Sequence, residues 1–214
     1  MMLMQEGLNP FWATVGLKIE PGIRGEGLKY MSNVSIGSLP KSFQNAIEEA
    51  VVKTSKQGLF GWEVTDIKVT LTCGEFFSPA STPADFRNVT PMVFMEALHQ
   101  AKTDLLEPLH EFELRIPQNV LSKAIWDLQT MRATFDNPII VEDEFLIKGL
   151  IPVENSKEYK LKIASYTEGK GMFLTKFFGY KKVPFEFAKT RQKSTYEKKK
   201  KKEYLLHKLN AIRN

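Results

Sequence analysis

Residues able to make or break bonds are present in this chain, but their spacing gives them little to do. The three histidines, His99, His110 and His207, are dispersed along the sequence. His99 falls between apolar positions of a helical pattern, where an imidazole serves structure rather than acting as a general base. Cys73 is the single cysteine. A reactive thiol needs a cationic neighbour to hold it as thiolate; none flanks Cys73, which reads as a small apolar residue at a strand end. Glu142, Asp143 and Glu144 cluster at a turn between two strands and read as solvated carboxylates. Gly22, Gly25 and Gly27 lack the G-x-G-x-x-G order of a dinucleotide cradle and precede a strand, so they serve turn geometry. There is no G-x-x-x-x-G-K-S/T phosphate loop and no zinc-type spacing of Cys and His. The expectation is a chain with no catalytic, cofactor-binding or metal-binding residues of its own.

Two features carry binding chemistry instead. The first is the segment Phe76, Phe77, Ser78, Pro79, Ala80, Ser81, Thr82 and Pro83, in which two aromatics and two prolines stiffen an excursion between a strand and a helix. Either the aromatics plug the edge of the core, or the loop is a rigid probe that stacks on exposed RNA bases, a contact contributing roughly 1 to 3 kcal/mol per base. The second is the run Lys198, Lys199, Lys200, Lys201 and Lys202. Residues 189–214 hold ten Lys/Arg against Glu197 and Glu203, a local +8. The chain as a whole is +5, so residues 1–188 carry −3. Such asymmetry points one end towards a polyanion, with nucleic acid the first choice. Five consecutive lysines exceed one helical turn, so the charge encircles any helix they form and cannot be a polar face alone. They supply sequence-independent affinity that falls steeply with salt.

These features must be positioned by an ordered framework, and the patterning supplies one. With 43% hydrophobic and 26% charged residues, the chain is neither disordered nor membrane-spanning by composition. One cysteine and no basic-then-apolar leader indicate a reduced, cytoplasmic protein. Residues 12–20 alternate as a strand, and Leu28, Tyr30, Ser32, Val34 and Ile36 alternate as a second, hairpin-like partner. Pro40 opens a helix that stops at Gly58, and a third strand covers 63–72. Thr90, with Pro91 at the first helical position, caps a second helix that Glu107-Pro108 ends. A strand through Phe112, Leu114 and Ile116 follows, then a helix over 120–128 and paired strands near 131–141 and 144–153. Asn155 with Glu158 starts a further helix, and a last strand runs from Gly171 to Tyr180. This second half reads β-α-β-β-α-β, the ferredoxin-like order. The fold class is α+β, with segments at 1–107, 108–188 and a basic linker and terminal helix at 189–214. In that helix Ser194 and Glu197 form a capping box, and Leu205, Leu209 and Ile212 share one side.

Several long stretches also resemble a known family. Asn9-Pro-Phe-Trp-Ala-Thr-Val-Gly-Leu, Ser42-Phe-Gln-Asn-Ala, Gly61-Trp-Glu-Val-Thr-Asp-Ile-Lys-Val, Phe77-Ser-Pro-Ala-Ser-Thr-Pro-Ala-Asp-Phe-Arg and Leu105-Leu-Glu-Pro closely resemble the tetracycline resistance ribosomal protection proteins, paralogues of elongation factor G. The resemblance covers nearly the whole chain but only domains IV and V of such a protein, with its terminal helix. It implies a ribosomal protein S5 domain 2-like fold for the first half and a ferredoxin-like fold for the second. It also implies a cytoplasmic, monomeric ribosome binder without membrane contact, whose GTP and Mg sit on an absent G domain, so that the fragment itself is no enzyme. Ser78, Pro79 and Ala80 would form a tip at the small-subunit decoding region, meeting ribosomal RNA beside the drug, with Phe76, Phe77 and Ser81 in the same loop. Relatives often carry a larger aliphatic at the position of Ala80. Thr167-Glu-Gly-Lys-Gly resembles a turn of elongation factor G, and its domain would lie near the GTPase-associated region of the large subunit. The terminal helix, with its five lysines, would approach the decoding site. Two alternatives stand: a fragment of a translocating elongation factor G, which resembles Gly-Ser-Tyr-His-Glu-Val-Asp-Ser at the tip, and a free-standing RNA-binding protein.

Overall fold

A computed structural model describes residues 2–3, 10–191 and 204. Residues 104–188 form one compact unit; the residues before them, joined by 189–191 and Tyr204, form another. The division falls between Thr103 and Asp104, and residues 189–191 group with the first unit.

The first unit is a four-stranded sheet in the order β1 (Met2–Leu3), β2 (Ala13–Pro21), β4 (Ile67–Phe76), β3 (Leu28–Ser32). Helices α1 (Lys41–Ser55) and α2 (Pro83–Ala101) contribute to its core. The expected hairpin of the first two long strands does not form: β4 lies between them, antiparallel to β2 and parallel to β3. The glycine segment, instead of turning a hairpin, is pinned to the start of β4. Gly25 and Gly27 donate to the Asp66 carboxylate at 3.0 and 3.2 Å, and Gly22 donates to the Asp66 carbonyl at 2.7 Å. Alternation fixes which residues share a face, not which strands are neighbours. β3 also stops at Ser32, leaving Ile36 exposed, and the third long strand starts at Ile67 after the positive-φ Asp66.

Helix α2 starts well before Thr90. Thr82 is its N-cap and Pro83 its first residue, while the Asp85 carboxylate accepts from the Thr82 amide at 2.8 Å and from its hydroxyl at 2.7 Å. Both Thr-Pro pairs carry the start signal, but only the first has an acidic residue three places on, which satisfies the otherwise unpaired cap. Thr90 lies mid-helix, its hydroxyl turned to the Phe86 carbonyl at 2.7 Å, and Pro91 lies inside the helix. The helix ends at Ala101 with Lys102 at φ 59°, so Glu107-Pro108 belongs to the next strand and not to a helix end.

The second unit has the ferredoxin-like order: β5 (Leu106–Pro117), α3 (Leu121–Thr130), β6 (Thr134–Phe135), β7 (Ile139–Val141), β8 (Glu144–Pro152), α4 (Val153–Ser156), α5 (Tyr159–Tyr166) and β9 (Met172–Lys182). The sheet runs β6-β8-β5-β9, with β7 paired to β8. Phe112, Leu114, Ile116, Ala124, Leu128, Ile147, Ile151, Tyr159, Ile163 and Phe173 make its core. Asn155 does not cap a helix; its side-chain amide donates to the Met131 carbonyl at 2.9 Å, tying α4 to the end of α3.

Tyr159 is almost fully buried with its hydroxyl 3.4 Å from that of Tyr166. Burial holds the Tyr159 phenol above its ordinary range, helped by the Tyr166 hydroxyl and the Asp127 charge; burial also raises Tyr166. A phenol whose folded value lies above its unfolded value contributes stability that is complete below the unfolded value and lost as pH rises towards the folded one. The second unit is therefore expected to lose stability above about pH 10, at about 1.4 kcal/mol per pH unit through Tyr159. Urea unfolding at a series of alkaline pH values reads this, and Tyr159→Phe is expected to flatten the decline. An equal decline in the variant would assign the alkaline loss to other groups.

Candidate nucleic-acid interface

β4 delivers Phe76 to the rim of the first unit and α2 takes the chain back at Pro83, so both roots of the intervening loop are regular elements. Phe76 is turned to the core, its ring 5.4 Å from that of Phe43, which in turn stacks on Phe86 at 4.7 Å. Phe77 faces the other way and is half-exposed, edge-on to the half-exposed Trp12 at 5.6 Å. One serine closes the loop. The Ser81 hydroxyl accepts from the Phe77 amide at 2.8 Å and donates to the Trp12 carbonyl, and the Ser81 amide donates to the Phe77 carbonyl at 2.8 Å. Ser78, Pro79 and Ala80 are left at the apex, all exposed, with a cis bond between Ser78 and Pro79.

The apex carries no charge and is braced from below, so it presents a fixed shape and an apolar surface. Of the loop residues singled out from sequence, Phe77 to Ser81 form one surface, while Phe76 supports it from inside. Lys198 to Lys202, Ser194, Glu197, Leu205, Leu209, Ile212 and His207 lie outside the described residues.

Trp12 joins this site although its sequence signal is indirect. Ala13 pairs with Phe76 across the β2–β4 ladder, which puts the residue before β2 opposite the residue after β4. That inference needs the strand pairing, which alternation does not supply.

The other candidates fall elsewhere. His99 is exposed in the last turn of α2, and His110 lies on β5. Cys73 is a partly buried residue inside β4 rather than at its end, with Gly16 opposite it; a Cβ on Gly16 would come within 2.3 Å of the sulfur. Glu142, at φ 57°, makes the β7–β8 turn. The Thr167 to Gly171 turn is closed by the Thr167 hydroxyl, which donates to the Ile163 carbonyl at 2.7 Å and accepts from the Gly171 amide at 2.8 Å. Among the described residues no three His, Cys, Asp or Glu side chains gather as metal ligands. No described helix is long and apolar enough to cross a membrane.

Known proteins match both units. The family model for elongation factor G, domain IV, matches residues 1–102, and that for the elongation factor G C-terminus matches residues 104–191. Tetracycline resistance protein TetP of Clostridium perfringens is 81% identical over 213 residues, covering all of this chain and 33% of the relative. Tetracycline resistance protein TetO of Campylobacter coli is 46% identical over 172 residues, covering 80% of this chain and 27% of the relative. A crystal structure of a Thermus thermophilus protein superposes with a TM-score of 0.65 at 21% identity, over 92% of this chain and 28% of that one, a likeness of fold. The chain thus spans a third or less of the length of these relatives. With elongation factor G domain IV and C-terminal segments in succession and this identity along its whole length, the chain belongs to the tetracycline resistance ribosomal protection proteins.

Proposed function

We propose that this chain is the ribosome-binding portion of a ribosomal protection protein, and that the loop from Phe77 to Ser81 helps release tetracycline from the small-subunit decoding region. GTP and its Mg belong to a G domain outside these residues, and the chain itself performs no catalysis. The observation that carries the reading is the loop: an uncharged apex, Ser78-Pro79-Ala80, braced by Ser81 and by the Trp12–Phe77 pair. A stacking probe must reach a base without collapsing, and this bracing meets that need. Ala80 is small, so Pro79 and the Phe77 ring offer the larger apolar surfaces for contact with ribosomal RNA. The lysine run at 198–202 adds general attraction to phosphate. The turn from Thr167 to Gly171 belongs to the unit that faces the GTPase-associated region of the large subunit. The assembly acts as a cytoplasmic monomer on the ribosome.

Expression of the full-length protein in a tetracycline-sensitive cytoplasm tests this directly. Growth is expected at drug concentrations that stop cells carrying the empty vector. Unchanged susceptibility, together with rescue of cells depleted of elongation factor G, would replace protection with translocation as the activity.

A further inference from the structure

β9 ends the sheet of the second unit on one side, paired to β5 and, among the described residues, to no strand along its other edge. Its regular pairing breaks towards the end. His110 pairs with Phe177, while Leu109, the neighbouring residue of β5, pairs with Gly179, so Phe178 is the extra residue of a bulge. A bulge re-aims the side chain it carries. Phe178 is 60% exposed and has no ring partner among the described residues, whereas Phe177 and Tyr180, each more than half exposed, meet edge-on at 5.5 Å. A Cβ on Gly179 would meet nothing within 4 Å beyond its chain neighbours, so the space beside these rings is open. Core packing accounts for Phe173 on this strand and for none of the three rings that follow it.

The charges decide what such an edge suits. β9 holds Lys176, Lys181 and Lys182 and no carboxylate. Lys182 is paired with Asp104 at 2.7 Å, but Lys176 and Lys181 make no ion pair among the described residues. Of the two glutamates opposite them on β5, Glu107 is engaged by Arg132 at 2.6 and 3.0 Å, which leaves Glu111 across from Lys176. A free edge could in principle take another strand of protein, yet exposed lysines and a bulge are the features that keep strands from adding. Rings interleaved with lysines suit a chain of flat bases joined by phosphates, because every base offers a π-face and every phosphate a negative charge.

We propose that Phe177, Phe178 and Tyr180, flanked by Lys176 and Lys181, form a further binding site for single-stranded RNA on the free edge of the second unit. Phe178 stacks on one base, the Phe177–Tyr180 pair offers the next ring, and the lysines neutralise the adjoining phosphates. The choice of RNA over DNA rests on the ribosome-binding reading; the site itself rests on the bulge, the rings and the lysines, and is tested without ribosome or drug.

Binding to a fluorescein-labelled oligouridylate is followed by anisotropy over a salt series. Every protein compared carries Lys198 to Lys202 changed to alanine, so that the charge of that run does not mask the site. Phe178→Ala is expected to weaken binding about fivefold or more, the loss of one stacked base. The slope of log affinity against log salt stays the same, because no charge is removed. Phe178→Trp keeps a stacking face and is expected to bind at least as tightly as the parent. Lys176→Gln with Lys181→Gln is expected to make the slope shallower by about 1.4, two phosphate contacts at about 0.7 each on a single strand. These substitutions alter exposed side chains, so the melting temperatures are expected to match the parent's. Photo-crosslinking then places the contact: an oligonucleotide carrying 5-iodouridine is expected to leave its adduct on the peptide that holds Phe177, Phe178 and Tyr180. Unchanged affinity in Phe178→Ala, or no adduct on that peptide, overturns the site. Self-association of the parent that Phe178→Ala abolishes, with RNA affinity unchanged, overturns it in favour of a second copy of this chain.

Discussion

Deleting Ser78, Pro79 and Ala80 from the full-length protein is expected to abolish tetracycline protection while leaving ribosome-stimulated GTP hydrolysis close to that of the parent. The three residues are the apex alone. The anchors of the loop's roots lie outside them, Phe76 on Phe43, Phe77 against Trp12 and Thr82 capped by Asp85, and the Phe77–Ser81 hydrogen bonds that span the apex are lost with it. Their removal shortens the excursion without disturbing β4 or α2, so the first unit is expected to melt within a few degrees of the parent. Under the proposed function, what is removed is the apex's own contact with ribosomal RNA, and each loss of about 1.4 kcal/mol there shifts the equilibrium that sets drug release about tenfold. Growth inhibition by tetracycline reads the first effect, and phosphate release with ribosomes reads the second. A deletion that still protects would show that the drug leaves by a route that does not need the apex. Loss of both activities would mean that the loop serves ribosome binding as a whole.

What could be read from the sequence followed from how local each signal is. α1 was legible because Phe43, Ala46, Ile47, Ala50 and Val51 recur on one helical face, and all of them are buried. The second unit was legible because its elements follow one another in a common order and each carries its own period. The neighbour of β2 was not legible: the partner that separates it from β3 lies beyond α1 in sequence, and nothing in the alternation of residues 12–20 names it. The same gap hid Trp12, whose place in the site depends on that pairing. The stretch that opens the 189–214 segment has no apolar period. Yet 189–191 are fixed through backbone groups and one aromatic ring, contacts that leave no periodic trace. The start of α2 was misplaced for a different reason. Two Thr-Pro pairs compete for it, and the deciding residue, Asp85, acts through a cap rather than through hydrophobic spacing.

That cap leads to the residue whose loss is expected to cost the fold most. Phe86 lies in the first turn of α2, is fully buried and stacks on Phe43 with an interplanar angle of 23°. Phe43 also holds Phe76, the last residue of β4. One ring on α1 thus grips both roots of the tip loop. Phe86→Ala removes a fully buried aromatic and leaves a cavity, a change that costs about 3 to 5 kcal/mol. A comparison substitution separates the general effect from the local one. Leu98 is equally buried in the last turn of the same helix, and Leu98→Ala is expected to cost about 2 to 5 kcal/mol. Hydrogen exchange is expected to show weakened protection at the end of β4 and the start of α2 for Phe86→Ala, but at the far end of α2 for Leu98→Ala. Amides of β5 and β8 in the second unit are expected to be unchanged in both. At a temperature where both variants remain folded, Phe86→Ala is then expected to protect against tetracycline less well than Leu98→Ala, because only it frees the roots of the loop. Equal protection by two variants of equal stability would mean that the tip needs a folded unit beneath it and nothing more specific from Phe43.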